Sequence, residues 1–262
     1  MKLGWIYDRR FLQHDTGRFH PECADRLVAI LEAIEHAGLM ARLEPIEFRA
    51  ATEKQLAAVH EPAYVDLVRL ACDEGFAFIG SEDTRLCRWS YDVAALAAGG
   101  VLAACDAVVA GRVPSAFCAV RPPGHHAEAD RANGFCLFNH VALAAEHLVR
   151  RHGMQRVAIV DVDAHHGNGT QGIFESRSDV LYISLHEGSG SMAFPGTGEA
   201  DEVGRDAGRG YTLNVPMNCG SRESDYRAAF TARVIPALNA YRPELLLISA
   251  GFDALAGDRM SH

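Results

Sequence analysis

The sequence predicts an α/β fold in which one doubly wound, mostly parallel sheet is flanked by helices. Three observations predict it. Short apolar, β-branched runs recur along the chain, helical patterns fill the intervals, and polar residues gather where the runs end. At 262 residues the chain is long enough for one large domain, and its 48% hydrophobic and 23% charged content excludes disordered and fibrous classes.

Element by element, LGWIYD (3–8) opens the chain as a strand, and ADRLVAILEAIEHAGL (24–39) follows as a helix that stops at Gly38. SYDVAALAAGGVLAACDAVVAG (90–111) reads as a second helix with a serine cap, SAFCAVR (115–121) as a strand, and FNHVALAAEHLVRRHG (138–153) as a helix with basic residues in its last turn. RVAIVDVD (156–163), VLYISLHE (180–187) and GYTLNVPM (210–217) are further strands. SRESDYRAAFTARVIPALNAY (221–241) is a helix opened by a capping-box-like Ser-Arg-Glu-Ser, and ELLLISAGFD (244–253) is the last strand. Short, continuous apolar strands bounded by Gly or Pro are those of a parallel sheet covered on both faces, joined by right-handed crossovers. No repeat, low-complexity tract or linker divides the chain, so the reading is one domain over 1–262.

The formal net charge of −9 argues against a dedicated nucleic-acid binder, which carries a basic face. The sequence reads as having no run of about 18 apolar residues and no signal core in MKLGWIYDRR, so a cytoplasmic protein without a membrane segment is expected. Seven scattered cysteines, none in a Cys-x-x-Cys pair, speak for buried free thiols rather than a zinc ribbon or a disulfide framework.

In open sheets of this kind ligands collect beyond the carboxyl ends of the strands. There SAFCAVR runs into RPPGHHAE, RVAIV into DVDAHHGNG, and LLLIS into AGFDALAGD. Alternate residues of a strand share a face, so Asp161, Asp163 and His165 are expected to look one way until the chain bends at Gly167. Carboxylates and an imidazole together invite a cation. Asp163, His165 and Asp253 make a thiolate-free set of three, which with an open fourth position is the arrangement of catalytic zinc. The pair His125-His126 can then transfer protons, with Asp161 a partner for one ring and Asn168 for the other. Thirteen histidines make adjacent pairs a weak signal alone, and an aspartate closing a strand also serves as a helix cap. The argument rests on place: acid and imidazole clusters end three separate expected strands.

The ordered segments HDTGRFHPECADRL, RPPGHHAEADRANGFCLFNHVALAA, VDVDAHHGNGTQGIF, SLHEGSGSMAFPGTGE and ISAGFDALAGD resemble the zinc-dependent histone deacetylase family, an arginase/deacetylase-like fold. That family also holds bacterial acetylpolyamine amidohydrolases and acetoin-utilisation proteins. RPPGHHA, the HPE segment and Asn168 resemble its class II branch. The resemblance implies one Zn²⁺ per chain on Asp163, His165 and Asp253, with His126 as general base and acid and His125, paired with Asp161, as its electrostatic partner. It implies a substrate tunnel formed by Phe135, Phe194, Gly134 and Pro123, with Met260 at the rim and Asp83 facing the substrate backbone. It also implies a structural K⁺ near Asp161, Asp163, His165, Ser184 and Leu185, and loosely matches Arg26 to an arginine behind the site. An apolar Met260, where polyamine-specific members carry an acid, favours acyl-lysine over acetylpolyamine.

The reaction so implied is zinc-dependent hydrolysis of an acylated amine, the substrate an acetylated lysine in a protein or peptide, or an acetylated small amine. Family members also carry a Gly-Gly-Tyr-type segment whose tyrosine donates to the oxyanion. The chain stops at His262 without it, so a C-terminally truncated domain is expected, and loss of one such donor commonly costs about 10²–10³ in rate. A non-catalytic acyl-lysine or zinc-binding module and an arginase-like two-manganese hydrolase are the other readings. The second wants acidic ligands beyond Asp253 and Asp258.

Overall fold

A computed structural model of the chain describes residues 2–188 and 194–261. The chain forms two compact units, Met1–Ala144 and Ala145–His262. The first runs through β1 (Leu3–Ile6), α1 (Ala24–His36), β2 (Leu43–Pro45), α2 (Glu53–Leu56), α3 (Pro62–Asp73), β3 (Phe78–Ile79), β4 (Ser81–Arg85), α4 (Ser90–Val109), β5 (Ala116–Cys118) and the start of α5 (His140–His152). The second contains the rest of α5, then β6 (Val157–Asp161), α6 (Asn168–Phe174), β7 (Val180–Glu187), β8 (Thr212–Met217), α7 (Glu223–Ala229), α8 (Ile235–Tyr241) and β9 (Leu245–Ser249).

In the first unit β1 lies between β2 and β5, parallel to both, and β3 and β4 form a hairpin. Trp5 stacks on Phe117 with ring centroids 5.6 Å apart, and Phe11 on Phe48 at 6.1 Å, so aromatic area dominates this core. α4 owes its close seat to small residues. A Cβ on Gly100 would lie 2.6 Å from Ile6, and one on Gly99 would overlap the backbone at Arg49. By length and composition α4 is apolar enough to cross a membrane, which corrects the expectation that no such run exists; most of its residues are buried in this core. The expected serine cap is also displaced. Ser90 is the first helical residue, and its Oγ accepts from Cys87 N at 2.8 Å instead.

The second unit holds a parallel four-stranded sheet in the order β8-β7-β6-β9. One face carries Ala158, Val160, Leu181, Ile183, Leu185 and Val215, packed with Tyr226, Phe230 and Leu238. The opposite face carries Ile159, Asp161, Tyr182, Ser184, His186 and Asn214, all buried. Polar residues therefore cluster at the carboxyl end of one face. Ala158 and Val160 stand beside Leu246 and Ile248 of β9, and these two are exposed, at 44% and 63%. The expected single helix over 221–241 is instead α7 and α8 joined by a π-helical turn, Phe230–Val234. Pro236, with no N–H and a ring that crowds the preceding turn, accounts for the interruption. The N-cap of α7 is Arg222 rather than Ser221, with the Asp225 carboxylate accepting from Arg222 N at 2.8 Å.

Candidate metal centre

The strand Val157–Asp161 ends two residues before Asp163, so the alternation expected to align Asp161, Asp163 and His165 does not reach that far. A chain of carboxylate turns replaces it. Asp161 Oδ1 accepts from Asp163 N at 3.2 Å, Asp253 Oδ1 from Ala164 N at 3.0 Å, and Asp163 Oδ1 from His165 N at 2.8 Å. Three successive backbone amides are thus held by three aspartates, and the turn is rigid where it must present side chains.

The result is convergence. His165 Nδ1 lies 3.0 Å from Asp163 Oδ1 and 2.8 Å from Asp253 Oδ2, and one ligand atom from each of the three residues lies within 4.8 Å of the other two. All three side chains are partly buried. A Cβ on Gly251 would overlap the Asp163 carboxylate, so a glycine is required where the loop after β9 passes. Burial alone would lower the His165 pKa, but hydrogen bonds to Asp163 and Asp253, reinforced by their charges, push it up to about 10. Two carboxylate oxygens aimed at one ring nitrogen repel unless positive charge sits among them. The imidazolium proton or a divalent cation satisfies that demand, and two carboxylates with one imidazole suit zinc.

Asp161 is fully buried, opposite Ser184 in the β6–β7 register. The Tyr182 hydroxyl lies 3.3 Å from Asp161 Oδ2, and burial, then the Asp161 charge, pushes its pKa well up, so it stays protonated as a donor. Leu185 is buried on the other face of β7. Asn168 opens α6, its N–H on His166 O at 2.9 Å. The Phe194 ring stands edge-on to His165, centroids 6.1 Å apart. Met260 is 36% exposed in the loop that follows β9. The Ser-Gly-Ser-Met-Ala part of the SLHEGSGSMAFPGTGE motif lies outside the described residues.

The remaining expected residues belong to the first unit. His125 and His126 are buried, with ring centroids 3.9 Å apart and planes at 47°. Pro123 is partly buried in the turn before them. Gly134 and Phe135 both have positive φ, 51° and 67°, and Phe135 packs edge-on against His20 at 4.8 Å. His20 Nε2 is 2.8 Å from Asp83 O, so Asp83 meets this rim through its backbone, while its carboxylate accepts from Ser81 and Thr84. Arg26, half exposed, is 3.8 Å from Glu22 Oε1. His125 and His126 lie in one unit and Asp161 and Asn168 in the other, so their pairing stays an expectation.

Sequence reasoning missed two buried networks. In the first unit Arg121 forms a bidentate pair with Glu22, at 2.6 and 2.8 Å, and donates to Phe11 O and His14 O. In the second, His166 is hydrogen-bonded to Thr197 and Gln171, and His186 to Ser184 and Gly198 O. Glu202 accepts from Gly198 N and Glu199 N, which fixes the segment just after Phe194. The Glu of HPE and the second histidine of DVDAHH were the available signals.

A model of the histone deacetylase domain matches residues 20–262. The chain belongs to the histone deacetylase family. Within the family it is 44% identical over 258 residues to histone deacetylase 15 of Arabidopsis thaliana, covering 96% of this chain and 46% of that protein. It is 40% identical to a histone deacetylase-like amidohydrolase of Pseudomonas aeruginosa, covering 98% and 66%, and 43% identical to the human polyamine deacetylase HDAC10, covering 91% and 37%. The crystal structure of the HDA15 HD domain superposes with a TM-score of 0.94 at 42% identity, over 99% of this chain and 76% of that one. This histone deacetylase family member thus has the expected α/β fold, and spans between about a third and two thirds of these curated relatives.

Proposed function

We propose that this chain is a zinc-dependent amide hydrolase that removes acetyl or related acyl groups from lysine side chains. The observation that carries the reading is the convergence of Asp163, His165 and Asp253 within 4.8 Å. Zinc held there supplies Lewis acidity, polarising the acyl carbonyl and making water a better nucleophile at neutral pH. The residues of the chain do the rest. His126 takes a proton from the attacking water and returns it to the amine nitrogen as the C–N bond breaks, giving a carboxylate and a free amine. His125, with Asp161, sets the charge and tautomer of that histidine, and Asn168 orients its ring. Phe135 and Phe194 line the path of an apolar methylene chain. A K⁺ near Asp161, Ser184 and Leu185 is part of the same reading, as a structural ion.

The likeness to HDAC10 supports acetylpolyamine hydrolysis as a second reading. Met260 weighs against it, because an apolar rim residue offers a polyamine cation no counter-charge. The test loads the protein with zinc and measures acetate release from an acetyl-lysine peptide and from an acetylpolyamine side by side. The expected result is one zinc per chain and a higher kcat/KM on the peptide. Asp253→Asn should weaken zinc binding by more than the roughly 10–100-fold that loss of an outer-shell partner costs, and abolish turnover. Stoichiometric zinc without acetate from either substrate would leave a binding module.

A further inference from the structure

The peptide from Pro122 to Glu128, which carries His125 and His126, is fastened to the start of α5 by contacts centred on Asn139. The Asn139 side-chain Nδ2 lies 3.1 Å from Ala127 O and 3.4 Å from His125 O, so it donates to carbonyls on both sides of His126. Its Oδ1 accepts from Ala142 N at 3.0 Å, which makes the same carboxamide the N-cap of α5. Its backbone N–H donates to His60 Nε2 at 2.9 Å, which leaves His60 Nδ1–H to donate to Glu128 O at 2.8 Å. His140 Nε2 donates to Pro122 O at 3.0 Å, and a Cβ on Gly124 would come within 2.8 Å of His140 N and Phe138 O. Asn139, His60 and Phe138 are themselves buried. Loop and helix therefore meet at backbone contact, with Asn139 spanning the junction.

A proton-transferring imidazole must stay within hydrogen-bond reach of its target, and a misplacement of about 1 Å can cost on the order of 10²-fold. Ring placement follows backbone placement, and two carbonyls flanking His126 are held by one side chain. We infer that Asn139, backed by His60, is a positioning residue for the His125–His126 pair: its carboxamide ties the fold of α5 to the geometry of the two rings. This rests on the reading that the pair moves the proton in amide hydrolysis.

The two jobs of Asn139 can be separated. Asn139→Ser and Asn139→Asp keep an oxygen that caps α5 but lose the amide donor, and Asn139→Asp sets a carboxylate against two carbonyls. In the zinc-loaded full chain both variants should keep KM within about twofold while kcat on the acetyl-lysine peptide falls about 10–100-fold, and Tm should fall further for Asn139→Asp than for Asn139→Ser, because a buried carboxylate then faces the two carbonyls. Without any substrate, the ring signals of His125 and His126 in a histidine-labelled NMR spectrum should shift or broaden while that of His165 stays put. Unchanged ring signals in folded variants overturn the proposal, whether or not Tm falls. A zinc-loaded parent that releases no acetate overturns the hydrolase reading instead, and the ring signals still decide the role of Asn139.

Discussion

At the scale of single residues, two histidines stand in opposite surroundings. His165 lies against two carboxylates, whereas burial, together with the charge of nearby His140, holds the His60 pKa down to about 4. The protonated form of His60 is thus a denatured-state species over a wide range. From pH 6.5 down to about 4 the unfolded chain takes up a proton at this position that the folded chain refuses, so stability falls as pH falls and is unaffected above about 7. The gap corresponds to roughly 3 kcal/mol. Urea midpoints between pH 7.5 and 4.5 should drop less steeply for His60→Gln than for the parent, and equal slopes would refute the assignment. His60 illustrates what a sequence hides. A lone histidine in AAVHEP carries no pattern, while Asp163, His165 and Asp253 were legible because acids and an imidazole gather just beyond two apolar runs, although the alternation expected to align them stops at Asp161.

At the scale of elements, six strands expected from apolar runs are present; Val180–Glu187 matches to the residue, and the other five are trimmed at one or both ends by one to four residues. Buried parallel strands advertise themselves because both faces are apolar. The β3–β4 hairpin was not legible, since SEDTR is polar and mostly exposed, and α3 lacks a side-chain cap and is studded with Asp66, Arg69 and Asp73. Ion pairs between elements were equally hidden. Glu146 on α5 is buried with its carboxylate between Arg150 and Arg177, and Arg177 also grips Asp179 at 2.9 and 2.8 Å just before β7. Among the described residues, removing Arg177 leaves Glu146 paired with the solvent-facing Arg150, so Arg177→Ala should cost about 2 kcal/mol. That is less than the 3–5 of a fully buried pair, because Arg177 is partly exposed. Chemical denaturation checks it; a cost below about 0.5 kcal/mol would mean that the pair is screened like any surface contact.

At the scale of the molecule, each unit has its own parallel sheet, and the expected metal ligands all fall in the second. Among the described residues β9 pairs with β6 alone, and Leu246 and Ile248 extend the apolar face that α7 and α8 cover elsewhere. An apolar edge strand is a template for association. The 262-residue chain should therefore show light scattering that rises with concentration, and Ile248→Lys should reduce it; identical scattering from both proteins would show that β9 is not the sticky edge. The same strand bears on the site in another way. Asp161 stands level with Ser249, and each strand then hands its aspartate to one shared point. A slip of β9 by a single position would turn Leu246 and Ile248 to the opposite face and displace the loop that carries Asp253. An ion seated there would act as a latch on β9, so that correct threading of the sheet and occupancy of the centre would become one and the same event.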